Sequence, residues 1–238
     1  LGDVYKRQVV ETTEALQVTF MDSSKLIFDW NVIDYEIKRN PANHPHGVWF
    51  DDETLRDGLQ SPSARNPTIP EKTELLSYME RLGIQKVDLG LPGAGPFHRE
   101  HINAMLSHII DNEYQIRPGA AVRTLMQDIE PLVEMQEKHG IQIQASAFLG
   151  TSPIRQYTEG WTMEKLISTM EKAVSYAVEN DVPVMFVTED TTRSNPEDVK
   201  AIYQRAMELG VRRLCVCDTC GHVTPNGVKK LLHFIDEE

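Results

Sequence analysis

WFDDETLRDGLQSP, residues 49–62, runs from an extended apolar start into Asp51, Asp52, Glu53, Arg56 and Asp57, with Gly58 and Gln60 close behind. Charges packed this densely cost free energy unless they are paired, solvated or bound to something. The stretch is either a solvated loop or one wall of an active site. The pattern of the surrounding chain decides between them.

From about residue 47 onward, short β-rich runs alternate with longer amphipathic ones. GVWFDDE (47–53), KVDLGL (86–91), IRPGAAV (116–122), IQIQASAFLG (141–150), VPVMFVTE (182–189) and RRLCVCD (212–218) read as strands. Helical patterns lie between them. In residues 161–180, Met163, Leu166, Ile167, Met170, Val174, Ala177 and Val178 mark one apolar face at helical spacing. Asn195 before Pro196, and Thr224 before Pro225, read as helix caps followed by proline at the first helical position. Gly83, Gly140 and Gly210 sit where helices should end.

Six βα units in a row imply a parallel sheet with helical crossovers. Two architectures fit: an open doubly wound sheet, or a TIM (β/α)8 barrel with about six of its eight units present. No G-x-G-x-x-G follows the first strand, and GLPGAG (90–95) has the wrong spacing, which weighs against a dinucleotide-binding sheet. Polar residues gather at the strand ends: Arg56 and Asp57, then Asp88, Arg123, Thr151 and Ser152. Glu189, Asp190 and Arg193 follow the fifth strand, and Asp218 and Thr219 the sixth. In a barrel all of these converge on one mouth, where barrel enzymes carry out their chemistry. The incomplete barrel is therefore the expected fold.

Composition narrows the class. The 238 residues are 40% hydrophobic and 25% charged, as in an ordinary globular protein, and the net charge of −12 disfavours nucleic acid and anionic membrane surfaces as partners. No apolar run is long enough to span a membrane, and no signal peptide is expected. Cys215, Cys217 and Cys220 form no disulfide framework, which suits a reducing cytoplasm. They read as buried small hydrophobes, since a structural zinc wants four ligands. Residues 1–8 (LGDVYKRQ) read as a non-native leader, 9–46 as an N-terminal extension and 47–238 as the partial barrel. The end, LLHFIDEE, stops within a helical pattern, so a piece of a longer protein is expected.

DETLRDGLQ (52–60) resembles the strand-one signature of the DRE-TIM metallolyases, roughly D-x-T-L-R-D-G-x-Q. That family includes isopropylmalate, homocitrate and citramalate synthases, with hydroxymethylglutaryl-CoA lyase as a cousin. VDLGLPGAGP, FLGTSPIRQY, FVTEDTTRSNP and VCDTCGHVTP resemble the second-, fourth-, fifth- and sixth-strand segments, in order. The resemblance implies a Claisen condensation of acetyl-CoA with a 2-oxo acid, of the 2-isopropylmalate synthase type and serving amino-acid biosynthesis. It implies a divalent cation (Zn, Mg or Mn) and a homodimer when the chain is complete.

The same resemblance implies roles. Asp57 matches a metal-binding carboxylate that acts with two histidines of a later H-x-H, and Arg56 an arginine facing the developing oxyanion. Gln60 matches a substrate-contacting glutamine. Glu189 and Thr219 match residues that line the acceptor pocket and orient the oxo acid, and Asp88 an acidic residue that helps read it. Gly58 is expected to let the backbone approach the ligand. Arg155 stands where many relatives carry histidine, so it is read as a substrate contact for a different acceptor. No base is identified. The alternatives are a hydroxymethylglutaryl-CoA-lyase-like carbon–carbon lyase and an inactive fragment. Among the other histidines, HPH (44–46) precedes the first strand and belongs to the stability face. His98 and His101 are expected to be solvated or satisfied on a helix, and His222 to support the mouth.

Overall fold

Each of the six runs holds a strand. The structure, a computed structural model, describes residues 22–36 and 48–238; residues 1–8, most of the extension and the HPH at 44–46 lie outside the described residues. The strands are β1 (Asp51–Asp52), β2 (Lys86–Asp88), β3 (Arg117–Arg123), β4 (Gln144–Gly150), β5 (Val184–Glu189) and β6 (Arg213–Val216). The helices are α1 (Ile69–Leu82), α2 (Pro96–Asp111), α3 (Met126–His139), α4 (Pro153–Glu159), α5 (Met163–Glu179), α6 (Pro196–Glu208) and α7 (Pro225–Glu237).

All five neighbouring pairs are parallel, and the sheet order follows the chain from β1 to β6. A doubly wound sheet reverses its order at a switch point. This one never does, so it is an arc of a (β/α)8 barrel: a six-stranded parallel half-barrel. The core lies between the sheet and its helices. Along β5, Val184, Phe186 and Thr188 are buried while Met185, Val187 and Glu189 on the other face are half-buried. α5 buries Leu166, Met170, Val174 and Ala177 of the stripe read from sequence, together with Ala173, while Met163, Ile167 and Val178 are half-buried.

Local chemistry sets the element ends. β2 stops early because the Asp88 carboxylate accepts the Gly90 N–H at 2.9 Å, and Gly90 sits at φ +134°. β1 is cut short where the Gln85 side chain, rather than a neighbouring strand, receives the Phe50 N–H. Asn195 occupies the α6 cap position, but its amide donates to Asp198 and makes no cap bond; Thr224 does cap α7, accepting from Gly227.

Two features were not read from sequence. A short helix, α4, intervenes between β4 and α5, and it carries Arg155. Trp30, in the stretch taken as an extension, is 0% exposed and belongs to the main core. Its indole donates to the Ser194 carbonyl at 3.0 Å, and its ring packs on Phe28 and Phe234. The cysteines also differ from expectation. Cys215 and Cys217 are half-buried with sulfurs 3.8 Å apart, and Cys220 is exposed. Their strand is an edge of the described sheet, so its inner face lacks a covering neighbour there.

Candidate active site

The opening stretch turns sharply after β1. Residues 57–60 form one turn of 3-10 helix, with the Arg56 and Gly58 N–H groups both donating to the Glu53 carbonyl. This turn aims Arg56 back over the sheet. Its guanidinium lies 2.7 Å from Glu53, 3.3 Å from Asp57 and 4.0 Å from Asp88 Oδ2. Lys86 and Asp51 pair just below. The crowded charges are thus largely paired with one another.

Asp88 is the unusual member. It is fully buried, and Oδ1 accepts the Gly90 and Ala121 N–H groups while Oδ2 has no hydrogen-bond partner. Burial pushes its pKa up to about 7, the Glu53 charge adds to this, and the Gly90 N–H and Arg56 only partly offset it. Burial also raises Glu53, against the pull of Arg56. Asp57 is largely exposed. Gly58 lies in the same turn. Its φ is not positive, and a Cβ there would meet only the Glu53 carbonyl at an ordinary 3.7 Å.

A second group forms across β4, β5 and β6. The register sets Gly150 beside Glu189 at the strand ends. Arg155 of α4 and Glu189 line one wall of a cavity of about 230 Å³ with Ser152, Arg193, Thr219 and Cys220. Behind it, the same two residues close a cavity of about 220 Å³ with Arg123, Phe148, Trp161 and Lys165. Asp190, at φ +62°, is held by a bidentate pair with Arg193 at 2.7 and 2.6 Å, and its N–H donates to Thr219 Oγ1 at 2.9 Å. Asp218 serves the turn itself. Burial opposes its charge, yet bonds from Thr192, His222 and Val223 hold its carboxyl below the usual range.

The candidate residues therefore separate into groups. Arg56, Asp57 and Asp88 come together, as do Arg155, Glu189 and Thr219. Gln60 lines a cavity with Arg56, Lys72, His98 and His101. His222 faces Asp29 at 3.4 Å, and its carbonyl accepts from Asn31, which ties the N-terminal stretch to the sixth loop. His101 is neither solvated nor satisfied: it is 8% exposed and Nδ1 has no partner. Lys72 was not read from sequence, although it shares the buried stripe of α1 with Leu76 and Met79 at helical spacing. That spacing is the signal that could have found it.

A family model described as HMGL-like matches residues 48–238. The chain belongs to the HMGL-like family. It is 26% identical over 195 residues to a 2-isopropylmalate synthase of Sediminispirochaeta smaragdinae, covering 82% of this chain and 37% of the relative. It is 31% identical over 187 residues to the 2-isopropylmalate synthase of Oceanobacillus iheyensis, covering 78% and 35%. It is 30% identical over 187 residues to an (R)-citramalate synthase of Methanocaldococcus jannaschii, covering 78% and 36%. The chain thus spans little more than a third of these relatives' length. In fold it is similar to the HMG-CoA lyase of Brucella melitensis, with a TM-score of 0.62 at 16% identity over 79% of this chain and 67% of that one. The Bacillus subtilis HMG-CoA lyase gives 0.63 at 16% identity over 80% and 64%.

As for a metal, Asp57 presents one hard oxygen ligand at the strand ends. No group of three His, Cys, Asp or Glu side chains able to hold a metal stands together among the described residues. A single carboxylate such as Asp57 does not by itself complete the coordination of a divalent cation. No helix among the described residues is long and apolar enough to cross a membrane.

Proposed function

We propose that this chain is barrel machinery of an acyl-CoA-dependent condensing enzyme that joins acetyl-CoA to a 2-oxo acid, in the manner of 2-isopropylmalate synthase. The observation that carries this reading is the placement of Arg56. A guanidinium held beside Asp57 and Asp88, at the strand ends of a parallel half-barrel, is a fixed positive donor where an oxyanion can develop.

In the reaction a base takes a proton from the acetyl methyl group. The resulting carbanion attacks the keto carbon, the keto oxygen gains the electron pair and then a proton, and water cleaves the thioester to release CoA. Arg56 stabilises the developing oxyanion. Asp57 contributes a ligand to a divalent cation, which when bound polarises the keto group. Glu189 and Thr219 orient the oxo acid, with Gln60 as a further substrate contact; Asp88, read from the motif as another, is fully buried and bears on the site through Arg56, 4.0 Å away. Arg155, beside Glu189, offers a cation to an anionic part of the acceptor. The working protein is a cytoplasmic homodimer serving amino-acid biosynthesis.

The test is CoA release from acetyl-CoA by the full-length protein, with a panel of 2-oxo acids, with and without divalent metal. Metal-dependent release with one oxo acid supports the reading. Cleavage of hydroxymethylglutaryl-CoA with no condensation replaces it with a lyase, and no turnover of either kind refutes it.

A further inference from the structure

Lys72 of α1 and His98 and His101 of α2 line a cavity of about 270 Å³ beside the Arg56 loop. Its polar lining consists of Arg56, Gln60, Asn66, Lys72, His98 and His101, set among Leu55, Leu59, Leu89 and Leu91, and it contains no carboxylate. Every one of those six side chains can donate hydrogen bonds.

Two of them stand out: Lys72, whose side chain is buried, and His101, whose ring carries a buried nitrogen with no partner. Lys72 is 4% exposed, and no charged group among the described residues offsets the burial that pulls its ammonium below the ordinary value. The carboxylate next to it in sequence, Glu71, is occupied elsewhere by Arg65 and by Thr68. His101 is 8% exposed with Nδ1 unpartnered, and its ring packs on Phe97 with centroids 4.1 Å apart. An unpaired ring nitrogen in a buried site is costly, and the Lys72 ammonium that lines the same cavity has no counter-charge among the described residues. One anion satisfies both.

We propose that this cavity binds a phosphate group, with Lys72 as its principal cation and His101 as a second donor. A phosphate offers several acceptor oxygens to the convergent donors, which matches a lining rich in donors. The proposal does not depend on the condensing reaction, and its test requires no turnover. Two sources share this chemistry: free phosphate, and a phosphate carried on a larger ligand such as CoA.

The experiment is calorimetric titration and thermal unfolding of the full chain with inorganic phosphate and, separately, with CoA, at ionic strength held constant with chloride. Wild type is expected to bind one or both and to gain thermal stability from the one it binds. Lys72→Met should unfold at a higher temperature than wild type without phosphate, because a buried unpaired charge is gone. It should also lose at least about tenfold in affinity, the loss of one charged donor. Lys72→Arg should keep most of the binding, and His101→Phe should weaken it. A response to CoA alone that Lys72→Met abolishes supports the site and puts the phosphate on the larger ligand. Unchanged affinity in Lys72→Met, an equal effect from added chloride, or no binding of either probe by wild type overturns it.

Discussion

Arg155 lies across Gly150 so closely that a Cβ on residue 150 would stand 2.6 Å from the Arg155 Cγ and 3.2 Å from its Nε. Gly150 is not at positive φ, so what keeps this position bare is the arginine and not the backbone. The pair couples the end of β4 to α4, where Arg155 pairs with Glu159 at 3.3 Å and shares a cavity lining with Glu189. Gly150→Ala should therefore cost about 1–3 kcal/mol through overpacking. In an Arg155→Ala background the same change should be nearly free. The four proteins of that cycle, unfolded in urea, give a coupling of about 0.5–3 kcal/mol if the contact is as described, and none if it is not.

Asp88 makes a pH prediction. Its folded pKa, raised to about 7, lies well above the unfolded value of about 4. The native state thus holds the proton more tightly than the unfolded chain. The stability from this group is complete below about pH 4 and is lost as pH rises through about 7. Asp88→Asn keeps the acceptor for the Gly90 and Ala121 N–H groups and removes the charge. The variant should be the more stable protein at pH 8, by up to roughly 4 kcal/mol, and its stability should vary less between pH 5 and 8. Parallel pH profiles for the two proteins would contradict the burial argument.

Trp30 makes a prediction about the stretch before the barrel. With no exposed surface, a hydrogen bond to Ser194 and ring contacts to Phe28 and Phe234, it joins residues 28–35 to α7 and the fifth loop. Trp30→Ala should cost about 3–5 kcal/mol, whereas Val32→Ala, on an exposed residue of the same segment, should cost almost nothing. Equal losses in denaturant titrations would show that the segment is not docked through Trp30.

What could be read from the sequence follows from what is local. The β-rich run VPVMFVTE and the apolar stripe of residues 161–180 are written in consecutive residues, so β5 and α5 were legible. Strand-end chemistry was legible too, because a parallel βα unit puts those residues on one rim. The rest depends on tertiary approach. Nothing beside Trp30 in the chain announces Ser194 or Phe234, which are far off in sequence. The grouping of Arg155 with Glu189, apart from Arg56 with Asp88, is set by sheet curvature and by α4.

Arg56 carries the proposed chemistry, and its test must separate catalysis from folding. The guanidinium reaches Glu53, Asp57 and Asp88 from one planar fork, and a point-charge ammonium on a shorter stem cannot span all three. Arg56→Lys should therefore behave nearly like Arg56→Ala in turnover. Both should lose about 10²–10³-fold in kcat in the full-length enzyme, the cost of removing one preorganised oxyanion donor. Stability should move far less, because Arg56 and its partners at the turn are partly exposed and such pairs contribute little. Asp57→Ala should abolish turnover and weaken metal binding, measured by equilibrium dialysis against the divalent cation. Near-normal kcat in both Arg56 variants, with near-normal metal binding in Asp57→Ala, would remove this loop from the active site.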